Sequence, residues 1–128
     1  MLTDSEAVVR RAVDLFNRGD FDGVAELMHP EIEVIRLGGL GTLSGREAAF
    51  GLMVPDAFET QEQSIEDVRT EGEVVMVTGT FHARGAGSGI ELNRESYTVF
   101  WIEDGLIRRM GTYLDREEAL AASGFEQV

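Results

Sequence analysis

The stretch Glu73–Leu114, EVVMVTGTFHARGAGSGIELNRESYTVFWIEDGLIRRMGTYL, decides the architecture. It reads as three consecutive antiparallel strands: Glu73–Arg84, Glu91–Ile102 and Leu106–Leu114. Gly85–Gly89 breaks the first from the second, and Asp104-Gly105 breaks the second from the third. Runs rich in Val, Ile, Thr, Tyr, Phe and Trp between such breaks are the signature of hairpins. A first hairpin centred near Gly87–Ser88 pairs His82 with Asn93, Thr80 with Glu95 and Thr78 with Tyr97. It also pairs Met76 with Val99 and Val74 with Trp101. A two-residue turn at Asp104-Gly105 sets Val99 against Met110, Tyr97 against Thr112 and Trp101 against Arg108. Side chains alternate across a strand. One face then carries Val74, Met76, Val99, Met110 and Trp101 with Thr78, Thr80, His82, Glu95, Tyr97 and Thr112. The other carries Val75, Val77, Phe81, Thr98, Phe100, Ile102, Ile107 and Tyr113. Two largely apolar faces both need cover. Helices are expected over the first face, and a second copy of the chain over Phe81, Phe100 and Ile107.

At 128 residues the chain is expected to form one domain, 1–128, with a core large enough to need no covalent staple. There is no cysteine, which excludes disulfides, thiolate catalysis and cysteine metal sites. All 11 basic residues are arginine, so Schiff-base chemistry and a phosphate-loop lysine are excluded too. A formal charge of −13 repels nucleic acid and anionic membrane. The opening MLTDSEAVVRRAV has early acids and no apolar core, which predicts no signal peptide. No apolar run approaches a membrane span. A cytoplasmic domain that meets neither nucleic acid nor membrane is the expectation.

Around the meander the chain reads in order as helix, helix, strand, helix and closing helix. Thr3-Asp-Ser-Glu6 is a capping box, and Val9, Ala12, Val13 and Phe16 follow at helical spacing. Gly19 suits the left-handed position after that helix. Asp20 caps a second helix with Phe21, Val24, Leu27 and Met28 inward, stopped by Pro30. Ile32–Leu37 reads as a strand on which Ile32, Val34 and Arg36 share a face. The loop Gly38–Gly41 lacks the lysine of a nucleotide loop, and Gly85–Gly89 joins strand to strand, where a dinucleotide fingerprint joins strand to helix. Ser44-Gly-Arg-Glu47 caps a third helix through Met53, ended by Pro55, with Phe58 in the loop beyond. Thr60–Thr70 reads as a less regular strand. Asp115-Arg-Glu-Glu118 caps a last helix that stops at Gly124. This is an α+β pattern: a curved, mostly antiparallel sheet wrapped around N-terminal helices, forming a cone with one pocket.

Phe16-Asn-Arg-Gly-Asp-Phe21, Leu43-Ser-Gly-Arg-Glu47, Glu103-Asp-Gly105 and Tyr113-Leu-Asp-Arg-Glu-Glu-Ala-Leu120 stand in that order along the chain. In this order and spacing the chain resembles the SnoaL-like branch of the nuclear-transport-factor-2-like (cystatin-like cone) superfamily. The resemblance implies a pocket over the concave face, reached from the first strand and the long strands. The superfamily includes polyketide cyclases, ketosteroid isomerases, dehydratases, epoxide hydrolases and domains that only bind or dimerise, so it does not name a reaction. Where the ketosteroid isomerase branch has its aspartate base this chain has Arg36, and a guanidinium cannot abstract a proton. Ala12 stands where that branch has a tyrosine donor, and Tyr97 where it has a protonated aspartic acid. That mechanism is therefore disfavoured. Thr112 stands in place of the cyclase aspartate, and no Asp-Arg-Asp set matches the epoxide hydrolases.

The candidate catalytic residues are Tyr97, His82 and Glu95. Tyr97 would polarise a carbonyl, and His82 or Glu95 would move a proton. The bland alternatives are a hydroxyl cluster of Tyr97, Thr78 and Thr112 that satisfies itself, and a surface pair at the hairpin end. Arg36 would hold an anionic group, or pair with a neighbouring acid such as Glu95. The candidate ligand-binding set is Arg36, Thr78, Thr80, Trp101, Met110, Thr112, Phe50, Met53 and Phe58, whose apolar members serve a core equally well. His29 and His82 lack metal-ligand spacing, so neither a metal nor a cofactor is expected. Two functions stay open. One is a cofactor-independent isomerase, cyclase or dehydratase acting on a small, mostly apolar molecule. The other is a non-catalytic ligand-binding or dimerisation domain.

Overall fold

The computed structural model describes residues 4–36, 40–53 and 58–125. Thr3, Leu37, Gly38, Gly39 and Pro55, to which the sequence reading gave roles, lie outside the described residues. The elements run α1 (Asp4–Asn17), α2 (Phe21–Glu26), β1 (Met28–Ile35), β2 (Thr42–Ser44), α3 (Arg46–Met53) and β3 (Phe58–Gln63). They continue with β4 (Asp67–Glu71), β5 (Val74–Gly85), β6 (Glu91–Glu103), β7 (Leu106–Tyr113) and α4 (Arg116–Ser123). The sheet order is β2-β1-β7-β6-β5-β3, with β4 also on β5. Every neighbouring pair is antiparallel except β1 with β7. The α+β architecture, with N-terminal helices held against a strongly curled mixed sheet, is the one expected.

Local chemistry explains most of the element ends. The Asp20 carboxylate accepts from the Gly23 amide at 2.9 Å and starts α2. The Asp115 carboxylate accepts from the Glu117 amide at 2.7 Å and starts α4, which ends on left-handed Gly124. Four readings need correction. Ser44 closes β2, which was not expected, and α3 starts after Gly45. Pro30 lies inside β1, where pairing with β7 is interrupted between Met28 and Glu33, so its missing N–H costs no ladder bond. Phe58 opens β3. The stretch Thr60–Thr70 splits into β3 and β4 across residues 64–66, because the Ser64 and Glu66 amides donate to the Thr80 and Thr78 carbonyls around Gly79.

The first hairpin has the expected register throughout, from Val74 opposite Trp101 to His82 opposite Asn93. The second begins as expected. Asp104 and Gly105 both have positive φ, Glu103 faces Leu106 and Ile102 faces Ile107. A bulge then shifts the pairing by one residue, so that Trp101 faces Arg109, Phe100 faces Met110 and Thr98 faces Thr112. Met110 and Thr112 therefore share a face with Phe100 and Thr98, and are parted from Val99 and Tyr97.

The helices also cover the face opposite to the one expected. Val75, Val77, Phe100, Ile102 and Ile107 are buried with Val9, Ala12, Leu15 and Val24 of α1 and α2 and with Ala49 of α3. Phe100 is 6% exposed and Ile107 1%, so pairing of two copies through Phe81, Phe100 and Ile107 is closed off. The outer face buries only Met76 and Val99 under Ala119, Leu120 and Phe125, flanked by Val74, Tyr97, Trp101 and Tyr113. The reason is polarity. The rows of Val75, Val77 and Phe100, apolar but for the threonines beside Val77, can be dehydrated by a long helix, whereas Thr80, His82 and Glu95 keep their hydration beyond the short α4.

A Cβ on Gly79 would overlap the Ser64 carbonyl oxygen, so Gly79→Ala is expected to destabilise the fold by about 1–3 kcal/mol. Gly51, on the exposed side of α3 with nothing near its Cβ position, gives the contrast. Gly51→Ala is expected to stabilise by about 0.4–1 kcal/mol. Urea unfolding midpoints of the two variants, moving in opposite directions, are the measurement.

Candidate functional site

Between the helices and the concave face lies a cavity of 490 Å³. Its floor is the row Val34, Met110 and Phe100 on adjacent strands β1, β7 and β6. Ala12, Val13 and Phe16 of α1 and Ala49, Leu52 and Met53 of α3 form the opposite wall. Phe58 and Phe81 meet edge to face at 5.9 Å and close one side. Leu40 and Leu52, 67% and 49% exposed, stand at the cavity and in solvent at once, which places its mouth. The closed wall depends on the end of α1 being fixed. Asn17 does this by donating to the Gln63 carbonyl at 2.9 Å and accepting from the Gln63 amide at 2.8 Å.

The polar lining is sparse: Arg36, Gln61, Gln63, Thr98 and Thr112. Gln61 donates its amide to the Met53 carbonyl at 2.9 Å, and Gln63 donates to the Ser64 carbonyl at 2.9 Å. The Thr98 and Thr112 hydroxyls lie 3.3 Å apart and share one hydrogen bond. Arg36 donates through Nη2 to the Leu40 carbonyl, while its Nε is buried without a partner among the described residues. No Asp, Glu, His or Tyr is among the described lining residues. The cavity can therefore donate hydrogen bonds, and these residues supply it with no proton acceptor of carboxylate or imidazole type.

The structure divides the residues expected to act together. Arg36, Met53, Phe58, Met110 and Thr112 line the cavity, whereas Phe50 is half-buried elsewhere on α3. The placement of Thr78, Thr80, His82, Glu95, Tyr97 and Trp101 is corrected: all six lie on the outer face of β5 and β6. There Tyr97 donates to Glu95 at 3.1 Å, and Trp101 packs under the Arg109 guanidinium 5.1 Å from its ring centre. His82 is exposed, bonded to Asn93, in an open 570 Å³ depression rimmed by Glu59, Glu62, Arg84 and Glu91. The β6 residue that faces the cavity beside Phe100 is Thr98, which sequence reasoning left on the covered face. Gln61, Gln63 and Asn17 were also missed, since isolated amides in a strand or at a helix end carry no motif. Among the described residues no three metal-ligating side chains gather. No helix among them is long and apolar enough to cross a membrane.

A curled sheet closed by helices over one apolar chamber defines the class: an α+β cone of the nuclear-transport-factor-2-like type. Residues 9–110 match the SnoaL-like domain family, to which this chain belongs. Solved structures agree in fold. A protein of unknown function from Burkholderia pseudomallei superposes with a TM-score of 0.78 at 22% identity, covering 95% of this chain and 98% of that one. A putative SnoaL-like polyketide cyclase from Jannaschia sp. gives 0.77 at 22%, covering 97% and 94%. An LEH-like epoxide hydrolase from M. tuberculosis gives 0.76 at 16%, covering 94% and 89%. No curated protein matches the chain.

Both tyrosines of the outer face hold their protons more firmly than usual. The hydrogen bond to Glu95, then burial, raises Tyr97 above the ordinary value of 10.0, and burial raises Tyr113. The neutral phenols are favoured by folding, so their contribution to stability is complete below pH 10.0 and is lost as pH rises past it. Phenolate absorbance of the native protein is expected to titrate above that of the urea-unfolded chain. Glu95→Gln should bring the Tyr97 midpoint down.

Proposed function

We propose that this chain acts as a single cytoplasmic domain that takes up a small, mostly apolar molecule in the cone cavity without a cofactor. The observation that carries the reading is the chamber itself. Its size falls within the roughly 300–1,000 Å³ typical of small-molecule sites, and aliphatic and aromatic side chains dominate its lining. A solvent-filled cavity of this composition leaves apolar surface wet at about 25 cal/mol per Å², a cost that an apolar occupant removes. The described lining offers no carboxylate or imidazole to move a proton, so binding without chemistry is the first reading.

A second reading, a cofactor-independent isomerase, cyclase or dehydratase, has one observation in its favour. Arg36 Nε and the Thr98–Thr112 hydroxyls are donors set in an apolar wall, the arrangement that stabilises negative charge developing on a ligand oxygen. Similar folds named as a polyketide cyclase and an epoxide hydrolase are consistent with it. Under either reading Tyr97, His82 and Glu95 would work only from outside the cavity.

The purified chain is expected to bind the neutral dye Nile red with saturable fluorescence. Met53→Trp, which fills the α3 wall, should weaken binding roughly tenfold, about 1.4 kcal/mol. Tyr97→Phe and His82→Ala should leave it unchanged. Loss of dye binding in the outer-face variants with full binding in Met53→Trp would reject the cavity as the site. Mass spectrometry of ligands recovered after incubation separates the two readings: unchanged ligand supports binding, and an isomer or dehydrated product supports catalysis.

A further inference from the structure

The last register pair of β1 and β7 is Ile35 with Gly111, so Arg36 and Thr112 come next on the two strands. Thr112 is paired in turn with Thr98. Arg36, Thr112 and Thr98 thus form one row across three adjacent strands, and all three line the cavity. The row beneath is Val34, Met110 and Phe100. On β1, β7 and β6 the chamber therefore has a single polar line at one level, laid beside an apolar floor.

We propose that the ligand is a monocarboxylic acid with an apolar body and a second, uncharged oxygen near its acid end. Its carboxylate sits on Arg36, and its second oxygen meets the Thr112–Thr98 pair. The inference rests on the ligand-binding reading above and names the class of molecule.

The Arg36 guanidinium is held in place by the Leu40 carbonyl, and its Nε–H is buried without a partner among the described residues. A charged donor left unpaired in an apolar wall is costly. A planar carboxylate fits the guanidinium fork, which offers two N–H donors side by side. No other cation is among the described lining residues, and the chain as a whole carries −13. A second negative charge would have nothing to meet, so a dicarboxylate or a phosphate dianion fits poorly. The threonines take something different. One hydroxyl proton is used between Thr98 and Thr112, which leaves one O–H donor and free lone pairs for the cavity. Such a pair suits a neutral hydroxyl or carbonyl oxygen. The aromatic and aliphatic walls take the remainder of the molecule.

Calorimetric titration of the full chain with octanoate, methyl octanoate and β-hydroxyoctanoate tests each part. Octanoate should bind at least tenfold more tightly than its methyl ester. Arg36→Met should abolish that difference while the ester keeps its affinity. β-Hydroxyoctanoate should bind severalfold more tightly than octanoate, and Thr98→Val with Thr112→Val should remove that gain alone. The acid–ester and hydroxy–deoxy comparisons stand on the wild-type chain, so they hold even where a variant fails to fold. Equal affinities for acid and ester overturn the carboxylate assignment. No gain from the hydroxyl overturns the threonine assignment. Nile red bound with none of the three acids or esters bound overturns this inference and leaves the ligand-binding reading standing. Failure of the dye as well overturns both.

Discussion

One extra residue in β7 decides which side chains the cavity receives. The bulge between the Trp101 and Ile102 pairings turns Met110 and Thr112 inward and Arg109 outward. It is held from the neighbouring strand. The Ile107 amide donates to the Leu27 carbonyl at 2.7 Å, and Arg108 donates to the Glu31 carbonyl at 2.6 Å, with the Glu103 and Glu33 carboxylates nearby. The surface ion pairs among these contribute little by themselves.

Once β7 is turned, the sheet has two faces of different use. The inner face is covered by α1, α2 and α3 but not filled, because Phe16, Val13 and Met53 stop short of the strands at the open end. The outer face has only α4, whose Ala119 and Leu120 pack on Met76 and Val99 and leave no chamber. Tyr97 and Glu95 beyond it form a partly solvated pair of the ordinary surface kind. A tyrosine, a histidine and a carboxylate close together are attractive as catalytic groups, yet here each reaches water. The cavity side differs: there one arginine and two threonines, all half-buried, are set among hydrocarbon side chains.

The SnoaL-like frame is shared with proteins of quite different named activities, so the frame does not name a reaction. In this chain capping residues, glycine breaks and hairpin turns build the cone. Few positions on the concave rows are polar. In this chain they are Arg36, Thr112 and Thr98, with Gln61 and Gln63 committed to the wall.

Local chemistry made much of this legible in advance. Asp20, Asp115, Gly19, Gly124 and the Asp104-Gly105 turn act through neighbours a few residues away, and the chain spells them out. The first hairpin was legible for the same reason: its turn sets the register, and strands without an inserted residue keep it. The pieces that were misread all depend on partners far along the chain. Pro30 is tolerated in a strand because β7 does not pair with it there. The stretch at 64–66 bends because Gly79, on another strand, lets it approach. The bulge answers to carbonyls of residues 27 and 31, some eighty positions before it. Sequence by itself determined most of the elements, their order and two alternating strand faces. Which face the helices close over was decided only by tertiary packing, since dehydrating a face needs a helix from elsewhere and an alternating pattern is blind to where that helix lies.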